Sequence, residues 1–245
     1  MSKQGEINYL DLLGPEGRVH AFNKPFSDAD CGRYLIDLGF IMSVLPPPPC
    51  RLLDMGVGTG WTSVFLARRG YRVTGIDIAP QMIELAEKNR IRYEAENLDF
   101  VVSDFEDLTV DGTYDCVLFY DSLHHAMDGE KAMASAHRVL NPGGLCVTLE
   151  PGYGHSRTSD SRRAIEEMDI TERDMHPERV IALSGPAGFQ SARILHFDFI
   201  PREIRNRTGP YRVTKDKIRQ ILRIIRAPGD YTRALAERNL VVLQK

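Results

Sequence analysis

The chain has 245 residues, 42% of them hydrophobic, and a formal net charge of -3 at pH 7, which suits one α/β domain with additions and a sizeable core. No apolar run reaches the roughly 18 residues of a membrane span. The opening Met1-Ser2-Lys3-Gln4-Gly5-Glu6 lacks the apolar core of a secretory signal, and Cys31, Cys50, Cys116 and Cys146 follow no metal or redox spacing, so a cytoplasmic chain with free thiols and no bound metal is expected.

Residues 1–26 read as a mostly polar arm carrying Tyr9, His20, Phe22, Phe26 and two glycine-containing turns. Ser27 is the expected N-cap of a helix over 27–45, where Leu35, Leu38, Ile41, Met42 and Leu45 recur at helical spacing. The prolines 46–49 stop it. From there strands and helices alternate: strand 51–55, helix 61–69, strand 72–76, helix 80–89 with Pro80 in its first turn, strand 98–102, strand 114–120, helix 130–140 and strand 145–149. Strand 114–120 is apolar apart from Asp115, with an unbroken run over 116–120, as a central strand covered on both faces should be. The pattern predicts a doubly wound, mostly parallel sheet with helices on both faces.

Beyond Glu150 the pattern loosens. Helices are expected at 162–168 and 177–183, a strand at 192–199 after the Gly188-Phe189 turn, and a last strand at 240–243, which makes seven. Thr214 is the expected cap of a further helix with Ile218, Ile221, Leu222 and Ile225 on one stripe. Charge is unevenly placed: residues 151–245 hold 18 Lys/Arg against 12 Asp/Glu, or +6, leaving 1–150 at -9. Either solvated helix faces or a basic surface near an anionic substrate accounts for this. Residues 202–238 alone carry 11 Lys/Arg and 4 Asp/Glu.

The chemistry concentrates after the first strand of the alternation. Asp54-Met55-Gly56-Val57-Gly58-Thr59-Gly60 lets the backbone turn sharply and approach a ligand without a Cβ in the way. Asp77, ending the next strand, can accept from both hydroxyls of a ribose. Dinucleotide enzymes use a similar turn, but their third glycine lies three residues past the second, and here that place is Trp61.

The alternate glycines after Asp54, the acid Asp77, Asp104 after the third strand, the turn Asn141-Pro142-Gly143-Gly144 and the segment Tyr120-Asp121-Ser122-Leu123-His124-His125 together resemble class I S-adenosylmethionine-dependent methyltransferases of the small-molecule branch. The resemblance covers about residues 50–152. It implies a Rossmann-like methyltransferase fold in which S-adenosyl-L-methionine is the donor and S-adenosyl-L-homocysteine the product. It further implies that Gly56, Gly58 and Gly60 lie against the methionine part and that Asp77 holds the ribose. Ile78 and Phe105 would pack on the adenine, Asp104 would take its amino group, and Asp54 and Tyr120 would complete the site. Asp54 also has the alternative of bracing the turn.

Methyl transfer to a hydroxyl of a sugar, glycan precursor or secondary metabolite is the expected activity. His124 or His125 is the first choice for a general base and His155 the second; capping of the following turn is the structural alternative for the histidine pair. Residues 1–45 are expected to form an arm and helix that cover the donor, residues 46–245 the catalytic domain, and residues 151–238 a substrate-side extension. The expected partners are a small, modestly anionic acceptor and a second copy of the chain; neither a membrane nor nucleic acid is expected. A nicotinamide-dependent oxidoreductase, a catalytically silent donor-binding subunit and a nucleic-acid methyltransferase are the rival readings.

Overall fold

The computed structural model describes residues 3–196 and 239–245. Strands β1 (Arg51–Met55), β2 (Arg72–Asp77), β3 (Leu98–Val102), β4 (Tyr114–Tyr120) and β5 (Leu140–Glu150) run parallel. The last strand, β7 (Asn239–Gln244), lies antiparallel between β5 and β6 (Ser191–Leu195). The seven-stranded sheet therefore has the order β3-β2-β1-β4-β5-β7-β6, as the alternating pattern predicts for a mostly parallel, doubly wound fold.

Side chains on a strand alternate between faces, and the central strands feed two cores. Leu52, Cys116 and Leu118 point to one side, where they meet α3 (Cys31–Val44) and α4 (Trp61–Arg69). Leu53, Val117 and Phe119 point to the other, against α6 (Gly129–Val139) and α8 (Pro177–Ser184). These strand residues are fully buried, and each such side chain contributes about 1.5–3 kcal/mol of hydrophobic stabilisation. Helix α5 (Pro80–Arg92) packs beside α4 and over β3.

The structure departs from the sequence reading at four places. The two glycine-containing turns expected in the arm are helical: the arm forms α1 (Lys3–Leu12) and α2 (Gly14–Phe22), fixed by Leu10 and Ala21 packing on Ala79 and Met82. Ser27 caps nothing. Its hydroxyl donates to the His20 carbonyl at 2.7 Å, and the helix starts later, after Asp30. Strand β5 begins at Leu140 and runs through the Asn141–Gly144 turn, because its register jumps between the Tyr114 and Cys116 pairings. Strand β6 ends at Leu195. Residues 197–199, the helix capped by Thr214 and the basic stretch 202–238 lie outside the described residues.

Candidate active site

The carboxyl ends of the parallel strands open on a cavity of about 460 Å3, within the usual size range of small-molecule sites. One wall is the turn after β1. Gly58 has φ +53°, and a Cβ built there would meet no heavy atom within 4 Å; it would project into open space. Gly60 has φ +74°, yet its Cβ would lie 2.5 Å from the Phe100 ring and 2.9 Å from the Ala86 methyl. The two glycines thus answer different needs, a cradle at Gly58 and close packing at Gly60.

Asp77 closes β2 beside this cradle. Its Oδ2 accepts from the Gly58 amide at 2.8 Å and its Oδ1 from the Ala79 amide at 2.9 Å. Burial raises its pKa against these bonds. A carboxylate has about four lone-pair positions, so acceptor capacity is left over on the cavity side. Asp54 behaves otherwise. It is buried away from the cavity, where its Oδ2 accepts from the Thr62 and Ser63 hydroxyls at 2.8 and 2.6 Å, and burial pushes its pKa up to about 6.

Gly56, Gly58, Asp77, Ile78, Asp104, Phe105 and Tyr120 all line the cavity, whereas Asp54 and Gly60 do not. Those two support the turn from behind. Asp104 accepts from the Glu106 amide at 2.8 Å and is ion-paired with Lys3 of the arm. Phe105 stands edge-on to Phe119, their centroids 5.8 Å apart.

Both arm helices border the cavity, through Glu6, Tyr9, Leu13, His20 and Ala21 among others. Two side chains tie the arm to the glycine turn. Thr59 donates to the Ala21 carbonyl at 2.8 Å, and Asn89 donates to the carbonyls of Phe22 and Thr59 at 3.1 and 2.9 Å.

At the ends of β4 and β5 the structure brings His155 beside the adjacent pair His124 and His125. His124 and His125 lie in a 3-10 turn (Leu123–His125), with ring centroids 4.0 Å apart, and the His155 ring is 5.0 Å from that of His124. Glu150 organises the turn. Its Oε1 accepts from the amides of Ser122 and Leu123 at 3.1 and 2.9 Å, while its Oε2 is 2.7 Å from His124 Nδ1. His125 Nδ1 donates to the Thr171 carbonyl at 2.7 Å. Glu172 Oε2 lies 2.6 Å from His155 Nε2 and 3.7 Å from His124 Nε2.

Burial disfavours charge on His124, but the bonded Glu150 carboxylate, with Asp121 and Glu172 beyond it, raises its pKa overall. Burial and then the charge of His124 push His125 down to about 4. Burial opposes ionisation of Glu172 as well, yet its bond to His155 and the charges of all three histidines lower its pKa. Glu6, whose Oε1 accepts from the Thr171 amide at 2.9 Å, is pushed up to about 7 by burial.

Sequence reasoning gave Glu150, Glu172 and Glu6 no catalytic role. The first had a signal, an acid ending an apolar strand just as Asp77 does. The other two had none.

Residues 53–148 match a family model described as a methyltransferase domain. The ubiquinone biosynthesis O-methyltransferase of Xanthomonas axonopodis pv. citri is 30% identical over 138 residues, which cover 56% of this chain and 53% of that protein. An S-adenosyl-L-methionine-dependent Diels-Alderase of Talaromyces variabilis is 35% identical over 108 residues, 42% of this chain and 37% of its own length. This chain thus spans about half the length of the first of these relatives and less of the second. Among solved structures, phosphoethanolamine N-methyltransferase 2 of Haemonchus contortus, in complex with S-adenosyl-L-methionine, shares the fold with a TM-score of 0.65 and 15% identity, covering 97% of this chain and 59% of that one.

Proposed function

We propose that this chain, whose residues 53–148 match a methyltransferase-domain model, is a class I S-adenosylmethionine-dependent methyltransferase that transfers a methyl group to a hydroxyl of a small-molecule acceptor such as a sugar, glycan precursor or secondary metabolite. One observation carries the reading. One cavity joins a glycine cradle and a strand-end acid to a cluster of three histidines, of which His124 is buried and His125 and His155 are partly exposed. When bound, S-adenosyl-L-methionine supplies an activated sulfonium methyl and leaves as S-adenosyl-L-homocysteine.

The open space at Gly58 is where a donor's amino-acid part can approach the backbone. Asp77 uses its remaining acceptor capacity on the ribose hydroxyls. Ile78 and Phe105 flank the adenine, Asp104 accepts from its amino group, and Tyr120 closes the floor. Asp54 and Gly60 hold the turn in shape. The arm covers the donor and excludes water. His124, His125 and His155, with Glu172, receive the acceptor hydroxyl and its proton.

Alignment of the two reactants supplies about 7–11 kcal/mol of the barrier reduction, against roughly 3–5 kcal/mol from proton removal. Glu6, Asp121 and Glu172 line the acceptor end; these acids favour a neutral or cationic acceptor over the anionic one suggested by the 202–238 stretch.

The Talaromyces relative favours a second reading, in which the bound donor shapes a site for ring formation and transfers nothing. Calorimetry with S-adenosyl-L-homocysteine, followed by incubation with the donor and a panel of hydroxylated acceptors, separates the two. Binding with release of S-adenosyl-L-homocysteine supports methyl transfer, and binding without release across the panel supports the second reading. No heat and no thermal protection would refute both.

A further inference from the structure

We propose that the cluster at the acceptor end is a divalent transition-metal site, with His124 Nε2, His125 Nε2 and a carboxylate oxygen of Glu172 as ligands. The proposal rests on the methyltransferase reading and deepens it, because the ion would hold the acceptor. One ring nitrogen of each histidine and a Glu172 oxygen lie within 4.8 Å of one another, and His124 Nε2 stands 3.7 Å from Glu172 Oε2. Bonds of about 2.0–2.2 Å from each ligand to a shared ion require the three side chains to close on it from that arrangement.

The second support is the way both imidazoles are held from behind. Metal-ligating histidines nearly always give their other ring N–H to a carboxylate or a backbone carbonyl, which fixes the tautomer and aims the free lone pair. His124 Nδ1 has the Glu150 carboxylate at 2.7 Å, and His125 Nδ1 has the Thr171 carbonyl at 2.7 Å. A carbonyl can only accept, so the proton of a neutral His125 sits on Nδ1 and Nε2 is left as a donor of electrons. Glu150 is itself fixed by the amides of Ser122 and Leu123. Two adjacent histidines braced in this manner, one by each kind of partner, are more than a turn needs for capping.

Charge agrees. Glu6, Asp121, Glu150 and Glu172 surround the cluster, while Lys3, a cation on the cavity wall, is engaged with Asp104 and Glu106. Two imidazoles and one carboxylate suit zinc, iron(II), cobalt or manganese, whereas magnesium and calcium prefer oxygen alone. Three protein ligands leave positions open toward the cavity. Two neighbouring oxygens of a vicinal diol fit such positions, and this names the acceptor class.

The ion would act as a Lewis acid on the bound hydroxyl. The O–H bond breaks and its proton passes to the imidazole of His155, whose bond to Glu172 stabilises the resulting cation. The alkoxide oxygen forms the new bond to the methyl carbon as the carbon–sulfur bond breaks, and the electron pair of that bond stays on the neutral thioether.

The test uses the full chain, stripped with a chelator and titrated with cobalt(II) by calorimetry and visible absorption. S-adenosyl-L-homocysteine binding and thermal unfolding are measured on the same samples. The expected result is one ion per chain, with a d–d spectrum of mixed nitrogen and oxygen ligation. Glu172→Gln, nearly isosteric, should weaken cobalt binding at least 100-fold. Glu150→Gln should weaken it about 10–100-fold through the lost brace. Both variants should keep S-adenosyl-L-homocysteine affinity within threefold. Cobalt binding that is absent, or equal in wild type and Glu172→Gln, while S-adenosyl-L-homocysteine still binds, overturns the metal site alone. Loss of both ligands from the folded wild type overturns the functional reading with it.

Discussion

Gly58 and Gly60 provide a paired test of the donor cradle, because the same substitution at the two positions should fail for different reasons. In Gly58→Ala the new methyl meets no protein atom within 4 Å. The stability cost is only that of a non-glycine residue in the left-handed region, about 1–2 kcal/mol. For a chain of this size that lowers Tm by about 2–8 °C. The methyl does, however, stand where the donor must lie. Displacing or straining the ligand around one methyl costs about 1–3 kcal/mol, a rise in Kd of about 5- to 150-fold. In Gly60→Ala the methyl is driven to 2.5 Å from Phe100 and 2.9 Å from Ala86. Overpacking adds about 1–3 kcal/mol to the same backbone strain, so the damage is to folding. Thermal unfolding and calorimetric titration with S-adenosyl-L-homocysteine on both variants separate the effects. A folded Gly58→Ala protein that binds the ligand as tightly as wild type would refute the cradle, and a Gly60→Ala protein as stable as Gly58→Ala would refute the packing argument.

Three further outcomes are expected. On the proposed assignment Asp77→Ala removes two charge-assisted bonds to the ribose, each worth about 1.5–3 kcal/mol, so the donor Kd should rise by about 10²–10⁴; an unchanged titration isotherm contradicts the assignment. Burial holds Asp54 at about 6 against an ordinary 3.8, so the unfolded chain loses this proton first. Stability from this group is therefore complete below pH 3.8 and falls as the pH rises through 6, by about 3 kcal/mol. Asp54→Asn lacks that group, and urea unfolding at pH 4 and pH 7 should show the wild-type-minus-variant difference shifting by most of that amount, about 2 kcal/mol; a constant difference rules the effect out. Deleting residues 1–26 takes away the two arm helices that border the cavity, and the donor Kd should rise at least about tenfold. Equal affinity in the truncated and full chains would reduce the arm to a structural appendage.

The sheet was legible because its residues report burial directly. Strand 114–120 is apolar at every position but Asp115, and it lies between β1 and β5 with both faces covered. What escaped was settled by contacts distant in sequence. Leu10 and Ala21 become buried only because Met82 and Ala79 are there to meet them, so the arm shows no apolar stripe of its own and read as a mostly polar arm with glycine turns. Ser27 has the right chemistry for a cap, but the His20 carbonyl claims its hydroxyl once α2 has formed. The Asn141–Gly144 turn looks like a strand boundary, yet the C-terminal residue reaches it: Gly143 donates to the Lys245 carbonyl at 3.2 Å and Lys245 to the Gly144 carbonyl at 3.1 Å.

The same division runs through the cavity, and it explains why a donor is easier to infer than an acceptor. The donor side is built at the ends of consecutive strands, so an acid that follows an apolar run, such as Asp77, declares itself locally. By that rule Glu150 also carried a signal, and only the fold shows that it faces the histidine turn. Glu172 sits in a segment with no regular structure. It is placed by the Thr171 amide bonding to Glu6, by the Met175 amide bonding to the Pro151 carbonyl, and by Asp174 accepting from the amides of Gly154 and Ser156. Irregular segments of this kind tolerate change while the scaffold persists. The segment proposed to receive the acceptor is therefore the part with the weakest sequence pattern. Local motifs bring the reading to a bound methyl donor, and only the assembled loops bring His124, His125, His155 and Glu172 to one point.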